Sequence, residues 1–421
     1  MSLPTLERQD TPVTAPDNTT PAMIARQSIV DSHGEVAGYE FFNRARSTSA
    51  PTAADDVSLI FAALAHAGCD ELMRSKPIFV RCTHEGLASA QMELLSADNV
   101  VLQIESLGHT AISEVQARLP ILESLRAQGF KLSFKHTVLE SAYAAWLPLA
   151  DFIKFDLAVL RADQLAVLIG YAQRHTNAVI IAEKVESEIQ LAQLKDLGIQ
   201  RFQGTWFSRP ALVKSRVLTP GQASIIQLIN LLRQQAPPEA IEEVLKKDAG
   251  LAFNLMRLIN SAGLGLSREI TSFRQAVLIL GLKKMFRWAA LLLTASKFGN
   301  VPASVGQIAV VRGRLMELLA LELLGEDDAD QAFVVGVFSL LDVMLQISME
   351  ATLQLVNVPA PVSAALLLRE GVLGQLLILA EACDDDISAL DDRSASLLRL
   401  SPLQINAAHL QALSWTDNLS A

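Results

Sequence analysis

The chain has 421 residues, a net charge of −10 and a hydrophobic fraction of 51%, and this length predicts two domains that each bury a core. The acidic balance argues against a surface that follows nucleic-acid phosphates. Charged residues interrupt every apolar stretch before it reaches the ~20 residues of a membrane span, so we expect neither nucleic acid nor membrane as a partner.

Residues 1–22 are rich in Thr, Pro, Asp and Asn and have neither a basic start nor an apolar core. They are predicted to form a disordered leader and not a signal peptide. The three cysteines, Cys69, Cys82 and Cys383, are too few and too scattered for a disulfide framework. These features predict a cytoplasmic protein.

From residue 23 onward, short β-type runs alternate with helical patterns. The runs at 23–30 and 35–40, joined by a turn at 31–34, predict a hairpin. Six more strands are predicted at 77–82, 100–104, 130–134, 152–155, 179–182 and 198–202. The intervening helical patterns lie at 57–72, 113–128 and 186–197. This alternation predicts an α/β barrel with its site at the C-terminal strand ends.

After residue 218 the strand signal disappears, and the rest of the chain is predicted to be all-α. Helical patterns occur at 223–234, 239–247, 252–261, 272–280, 305–324 and 330–345. We therefore expect a barrel domain at 23–211, a linker at 212–221 and a helical bundle domain at 222–421. The short connection predicts that the helices pack on the barrel with little freedom to swing.

Four segments in chain order carry a family resemblance. They are Tyr39–Arg44 (YEFFNR), Lys154–Asp156 (KFD), Ala182–Glu186 (AEKVE) and Arg201–Pro210 (RFQGTWFSRP). Together they resemble the strand-end motifs of EAL-type cyclic-di-GMP phosphodiesterases. The resemblance implies a (βα)8-like barrel.

The helical half carries a second resemblance. Segments 248–262, 270–277, 312–320 and 333–342 are similar to the signature of HDOD domains, signalling modules related to the HD phosphohydrolases. The whole chain therefore resembles the EAL–HDOD group of bacterial signal-transduction proteins. The helical half has a single histidine, His409, which cannot supply the histidine-rich ligand set of an HD hydrolase.

The EAL resemblance implies roles for the residues that match its motifs. Glu40 matches the first metal ligand, and Arg44 and Gln203 are candidate ligand-binding residues, the Arg fork being suited to phosphate. The other retained family-site residues are Lys154, Asp156, Glu183 and Glu186. Alternatively, the retained charges form a buried ion network that seals the top of the barrel.

At four further positions the resemblance implies metal ligands that this sequence lacks. Arg81 stands in place of an asparagine, Gln103 in place of a glutamate, and Lys135 and His136 in place of two aspartates. Cationic groups there would repel a divalent ion, which needs several oxygen ligands. We therefore expect these ligand positions to be degenerate, no metal to bind and no catalytic residue to be active.

The segment after the fifth strand, 135–143, contains no glycine, unlike the family's glycine-rich loop. It is therefore predicted to begin a rigid helix. Lys135 is expected to pair with Glu40 or Asp156 and so take over the electrostatic role of the metal.

The leading hypothesis is a cytoplasmic signal-transduction or scaffold protein that is not an enzyme. It would act through protein contacts of the HDOD domain and need no cofactor, and a homodimer is an open option. Two alternatives stay open. One is a receptor that binds cyclic-di-GMP without cleaving it. The other is a cyclic-di-GMP phosphodiesterase with a rearranged metal site, which alone would require Mg²⁺ or Mn²⁺.

Overall fold

The computed structural model describes residues 23–44, 75–87, 92, 97–107, 112–208, 220–259, 273–296, 301–356, 358–384, 395 and 397–420. The predicted leader at 1–22, the helix predicted at 57–72 and most of the predicted linker at 212–221 lie outside these residues, as does Cys69. The proposed domain boundaries therefore stay predictions.

The first half forms a closed barrel in which eight strands follow one another in chain order. The strands are β1 (Met23–Asp31), β2 (Val36–Arg44), β3 (Ile78–Cys82), β4 (Val100–Ile104), β5 (Lys131–Lys135), β6 (Phe152–Asp156), β7 (Val179–Glu183) and β8 (Arg201–Phe202). β1 runs antiparallel to both of its neighbours, β2 and β8, whereas β2 to β8 pair in parallel. The predicted hairpin and barrel are confirmed.

The apolar runs become strands because both of their faces are covered. In β4 all five residues are buried, as expected of a parallel strand with a packed interior on one side and helices on the other. The six later strands lie where the sequence predicts them. Only β8 is much shorter than its predicted segment at 198–202.

Helices connect the strands on the outside of the barrel. Those described are α1 (His84–Leu87), α2 (Ile112–Ala127), α3 (Ala162–His175) and α4 (Glu188–Asp196). The glycine-free segment after β5 forms short 3-10 helices at His136–Leu139, Ser141–Tyr143 and Leu147–Leu149. It is thus helical, although not as the regular helix that the sequence predicts.

The second half is entirely helical in the described residues, as predicted. Its helices are α5 (Pro220–Arg233), α6 (Pro238–Lys247), α7 (Ala249–Ile259), α8 (Phe273–Ala295), α9 (Ala303–Leu323), α10 (Glu326–Phe338), α11 (Leu341–Leu345), α12 (Met349–Leu355), α13 (Ala360–Leu368), α14 (Gly371–Cys383) and α15 (Pro402–Ser420). α9 and α10 approach closely at two glycines: a Cβ on Gly336 would lie 2.5 Å from the Cα of Gly313.

Hydropathy singles out one pair of helices in this half. No single helix in the described part of the chain has the length and apolarity of a membrane span. The consecutive helices α13 and α14 reach that composition only when taken together, and they are bent by 42°.

A buried ionic network joins the two halves. Asp384, which follows α14, lies 2.8 Å from Nη2 of Arg26 in β1 and 2.5 Å from Nε of Arg312 in α9. The side chains of all three residues are at most 4% exposed. Arg312 also donates to Ser339 Oγ at 3.1 Å, and its Nη1 lies 3.7 Å from the Glu381 carboxylate.

Helix α15 supplies further contacts to the barrel. The backbone N–H of Ile24 donates to Asn406 Oδ1 at 2.8 Å, and the buried Tyr39 hydroxyl donates to Asp417 at 3.1 Å. Lys76, just before β3, forms an ion pair with the same carboxylate at 2.6 Å. The prediction that the helices pack on the barrel is confirmed, because these contacts are buried or partly buried and directional.

We predict that Asp384→Ala lowers the free energy of unfolding by about 3–5 kcal/mol, because it leaves Arg26 and Arg312 buried without their shared counter-charge. Urea denaturation followed by circular dichroism measures the change. Asp163→Ala is the matched control, since it removes an exposed carboxylate that pairs with Arg161, and it should change stability by less than about 0.5 kcal/mol. Similar losses in both variants would contradict the prediction.

A second prediction concerns His409 in α15. Burial, together with the nearby Arg26 guanidinium, lowers the pKa of His409 from 6.5 to about 3. Between these values the unfolded chain binds a proton that the folded chain does not, so stability falls on acidification by up to about 1.4 kcal/mol per pH unit. His409→Gln keeps an acceptor for Arg26 Nε and removes the titration. Its denaturation midpoint should depend less steeply on pH in this window, and an unchanged slope would refute the assignment.

Candidate functional site

The C-terminal ends of the barrel strands gather most of the residues that the sequence singles out. Glu40 comes from β2, Lys154 and Asp156 from β6, Glu183 from β7, and Gln203 follows β8 directly. Asp156 and Glu183 are direct partners in the β6–β7 register. Since parallel strands end at one rim, residues distant in sequence meet there.

Lys154 is the centre of this cluster. Its Nζ lies 2.8 Å from Glu40 Oε2, 2.9 Å from Glu183 Oε1 and 3.2 Å from Gln203 Oε1. Its side chain has 0% exposure. An ammonium group carries three N–H donors, and three acceptors surround this one. The cluster therefore compensates a fully buried cation.

The charges of the cluster stabilise one another. Burial alone would raise the pKa of Glu40, but the nearby Lys154 and Arg81 outweigh it and lower that pKa to about 2. Burial likewise opposes the charged form of Lys154, and Glu40 and Glu183 raise its pKa in spite of it. Glu40 and Lys154 are therefore both charged at neutral pH.

Gln203 fixes the side of the cluster next to β1. Its Nε2 donates to Glu40 Oε2 and to Gln27 Oε1, both at 2.6 Å. The following residue, Gly204, has a φ of +154°, and a Cβ there would lie 2.2 Å from the carbonyl oxygen of Val185. Glycine is thus required where the chain passes Val185, and this close passage sets the position of Gln203.

Two exposed cations lie at the mouth of the site. Arg81 Nε is 3.5 Å from Glu40 Oε1, and the Arg81 side chain is 44% exposed. Lys184 Nζ is 3.0 Å from Asp156 Oδ2, and the Lys184 side chain is 57% exposed. Lys184 has a φ of +61°, a left-handed conformation that is uncommon outside glycine and recurs at functional sites.

Sequence reasoning missed two members of the site, Gln27 and Lys184. Gln27 is the direct partner of Glu40 in the β1–β2 register, so its place follows from the hairpin once the register is known. Lys184 is the middle residue of the AEKVE motif, but only its backbone conformation distinguishes it from an ordinary exposed lysine. The only hint of its role in the sequence is that a charged residue, Lys184, directly follows the site residue Glu183.

Two of the predicted residues are not brought into the cluster. Glu186 is exposed, with its backbone N–H donating to Gln190. Lys135 is exposed and forms no ion pair among the described residues, so the expectation that it pairs with Glu40 or Asp156 is wrong. It is the register partner of Lys154, and Lys154 already occupies the buried cation position. Arg44 ends β2, but its side chain lies outside the described part.

Gln103 and His136 lie beside the cluster. Gln103 is buried in β4, directly opposite Arg81 in register, and its Oε1 has no hydrogen-bond partner among the described residues. His136 follows β5 and stacks on Phe155, with 6.1 Å between ring centroids. Burial lowers its pKa, which favours the neutral ring. That Arg81, Gln103, Lys135 and His136 mark degenerate ligand positions stays a prediction.

The donor set of this site does not fit a pair of divalent cations. Both carboxylates nearest the interior, Glu40 and Glu183, are bound to the Lys154 ammonium, and Asp156 pairs with Lys184. In the described part of the chain, no three His, Cys, Asp or Glu side chains form a group that could hold a metal ion. A metal would have to displace these cations before it found a ligand set.

Comparison with known proteins assigns the two halves. The HDOD domain family matches residues 220–357. Cyclic di-GMP phosphodiesterase CdgJ of Vibrio cholerae is 26% identical over 368 residues, which cover 85% of this chain and 84% of CdgJ.

Solved structures of EAL-domain proteins match the first half. An EAL domain protein of Listeria monocytogenes is 17% identical and covers 45% of this chain and 88% of its own, with a TM-score of 0.36. The YkuI protein of Bacillus subtilis has an EAL domain and was solved in complex with substrate c-di-GMP and calcium. It is 16% identical, and the match covers 56% of this chain and 74% of YkuI with a TM-score of 0.37. The predicted resemblance to EAL–HDOD proteins is confirmed by the HDOD match and by the similarity to CdgJ.

The similarity to CdgJ also corrects one expectation. The sequence analysis predicts a chain that is not an enzyme, on the grounds that cations and an amide replace metal ligands. The relative that aligns along 85% of this chain is named a phosphodiesterase. The prediction of a non-enzyme is therefore wrong, and replaced ligand positions are insufficient ground for excluding activity.

A third prediction distinguishes the two lysines of the β5–β6 pair. Lys154→Met is expected to lower the free energy of unfolding by about 3–5 kcal/mol, since it leaves two carboxylates at the barrel end without their buried counter-charge. Lys135→Met, at the partnering but exposed position, should change it by less than about 0.5 kcal/mol. Guanidinium denaturation of both variants provides the measurement, and comparable destabilisation by the two would show that the buried cluster is not centred on Lys154.

Proposed function

We propose, for a chain that joins an EAL-type barrel to an HDOD domain, that the barrel mouth binds cyclic di-GMP and hydrolyses it. The observation that carries this proposal is the similarity to CdgJ, which extends through both halves and covers 84% of that phosphodiesterase. The charges at the barrel mouth support it, because they suit an anionic ligand that carries phosphodiester groups.

Arg81 and Lys184 are the groups that would receive the phosphates. Both are about half exposed and lie at the rim, 3.5 Å and 3.0 Å from the carboxylates of Glu40 and Asp156. Because water screens the exposed part of each cation, these two pairs are weaker than the fully buried pairs of Lys154. A phosphodiester could therefore recruit either cation, and the planar Arg fork can hold two phosphate oxygens at once.

Glu183 is the carboxylate best suited to act on water. Its side chain is 13% exposed, compared with 3% for Glu40, and one of its oxygens is held by Lys154. In the proposed reaction Glu183 orients a water molecule and accepts its proton. The water oxygen bonds to phosphorus, one P–O bond breaks, and the departing alkoxide oxygen takes up a proton from solvent to become a ribose hydroxyl. The product is a linear dinucleotide with a terminal phosphate. We assign no step to a metal, because the donor set does not fit one.

The helical half is proposed to act as the signalling partner of this barrel. The sequence predicts that a protein partner binds the HDOD domain, and that prediction stands as part of the proposal. The buried Arg26–Asp384–Arg312 network supports it, because a partner that shifts α9 would act on the strand that contains Arg26.

The fourth prediction is that the purified full chain converts cyclic di-GMP to the linear dinucleotide, as measured by liquid chromatography with and without Mn²⁺. Glu183→Gln should lower the rate by about 100-fold or more, the usual loss for a general base. Glu123→Gln is the matched control and should leave the rate unchanged, because it removes an exposed charge near the end of α2, where the chain returns to the start of β5 and so to the other end of the barrel.

Calorimetric titration with cyclic di-GMP separates binding from turnover. Arg81→Gln should weaken binding by about tenfold or more, as expected for a lost charge-assisted hydrogen bond. Binding without product formation under both metal conditions would overturn the phosphodiesterase assignment. Absence of binding would overturn the whole proposal.

A further inference from the structure

The helical half contains a cavity of its own, remote from the barrel mouth in sequence. It has a volume of about 480 Å³ and lies among α5, α8, α10 and the start of α13. Its apolar wall includes Leu232, Leu282, Phe286, Val334 and Val362. Cavities of ~300–1,000 Å³ with mostly apolar walls and few polar groups are typical of sites for small organic molecules.

One polar group in this cavity lacks a counterpart. Arg233, the last residue of α5, lines the cavity, and its Nη1 is buried with no hydrogen-bond partner among the described residues. Burial lowers the pKa of Arg233, yet a guanidinium keeps its charge in proteins. A buried N–H of a charged group without an acceptor is costly, so this position favours an anion.

The other cations of the lining already have carboxylate partners. Arg287 donates hydrogen bonds to the Glu317 carboxylate from both terminal nitrogens, and the distance from Nη2 to Oε2 is 2.7 Å. Its guanidinium also stacks on Phe333, with Cζ 4.0 Å from the ring centroid. Lys283 lies 3.7 Å from Asp330, and both side chains are at least half exposed. Counting only residues that the structure describes, the lining therefore offers one uncompensated positive charge beside an apolar wall, which fits a ligand with one negative charge.

We propose that this cavity binds a small amphipathic carboxylate whose charged end pairs with Arg233 and whose hydrocarbon body lies against Leu232, Phe286 and Val334. A volume of about 480 Å³ accommodates a medium-length hydrocarbon chain or a system of two or three aromatic rings. Such a site gives the HDOD half a ligand of its own, which neither the HDOD match nor the similarity to CdgJ assigns. It is independent of the proposed action on cyclic di-GMP, and its test does not use the barrel.

The full chain is tested with anilinonaphthalene sulfonate, a fluorescent aromatic anion, which is then displaced by decanoate or naphthoate. Decanol and naphthalene methanol are the neutral counterparts of the two competitors. The proposal expects the carboxylates to displace the probe at concentrations about tenfold or more below those of the alcohols, the ratio that one charge-assisted hydrogen bond supplies. Whether decanoate or naphthoate is the better competitor distinguishes an aliphatic from an aromatic ligand.

Arg233→Gln should abolish this preference for carboxylates, and Arg233→Lys should restore part of it. Lys247→Gln, which removes an exposed cation on the neighbouring α6, should leave it unchanged. Equal displacement by acids and alcohols in the unmodified protein would overturn the proposal without any variant. So would an unchanged preference in Arg233→Gln that retains the native circular dichroism spectrum.

Discussion

The position of the first barrel strand depends on one buried carboxylate. Asp384 holds two guanidinium groups, one from β1 and one from α9, and burying them without this carboxylate would be costly. Side chains alternate along a strand, so Arg26 points to the helices while the next residue, Gln27, points to the opposite face. Gln27 contacts Gln203 at the mouth of the barrel. Neighbouring residues of one strand thus belong to the interface between the halves and to the site.

The barrel end is built on charge compensation. One buried ammonium neutralises parts of two carboxylates, and the rim cations complete the balance at Glu40 and Asp156. Such an arrangement is stable only as a set, because desolvation penalises each charge that loses its partner. The rim cations are the loosely held members. Arg81 and Lys184 can therefore exchange a carboxylate of the protein for the phosphate of a ligand at a lower free-energy cost than Lys154 could.

The sequence predicts the barrel and the helical half well because their signals are periodic. Apolar runs such as Val100–Ile104 and the turn at 31–34 depend on local residues alone. The motifs also place Glu40, Lys154, Asp156, Glu183 and Gln203 at one rim, since parallel strands end together. What they do not predict is which of several nearby lysines is buried. Lys135 and Lys154 are register partners, and only the closed barrel determines which of them reaches the two carboxylates.

The sequence analysis also predicts wrongly that the chain is not an enzyme. Counting replaced ligands treats each position of a site as independent, whereas Arg81 lies within 3.5 Å of Glu40 and alters what that carboxylate can bind. The contacts that α15 makes with the barrel could not be predicted from the sequence either. Tyr39 and Asp417 are 378 residues apart, and no local pattern links them.

This separation has a consequence for biosynthesis. The backbone N–H of Ile24 meets Asn406 across 382 residues, and Arg26 meets His409 across 383. At ~5–20 residues per second, a ribosome needs roughly 20–80 s to deliver those partners after β1 has been made. Throughout that interval the outer face of β1 has no α15 to cover it. Docking of α15 is therefore a late step in the folding of the barrel, and the nascent barrel needs protection from aggregation at β1 until that helix has been made.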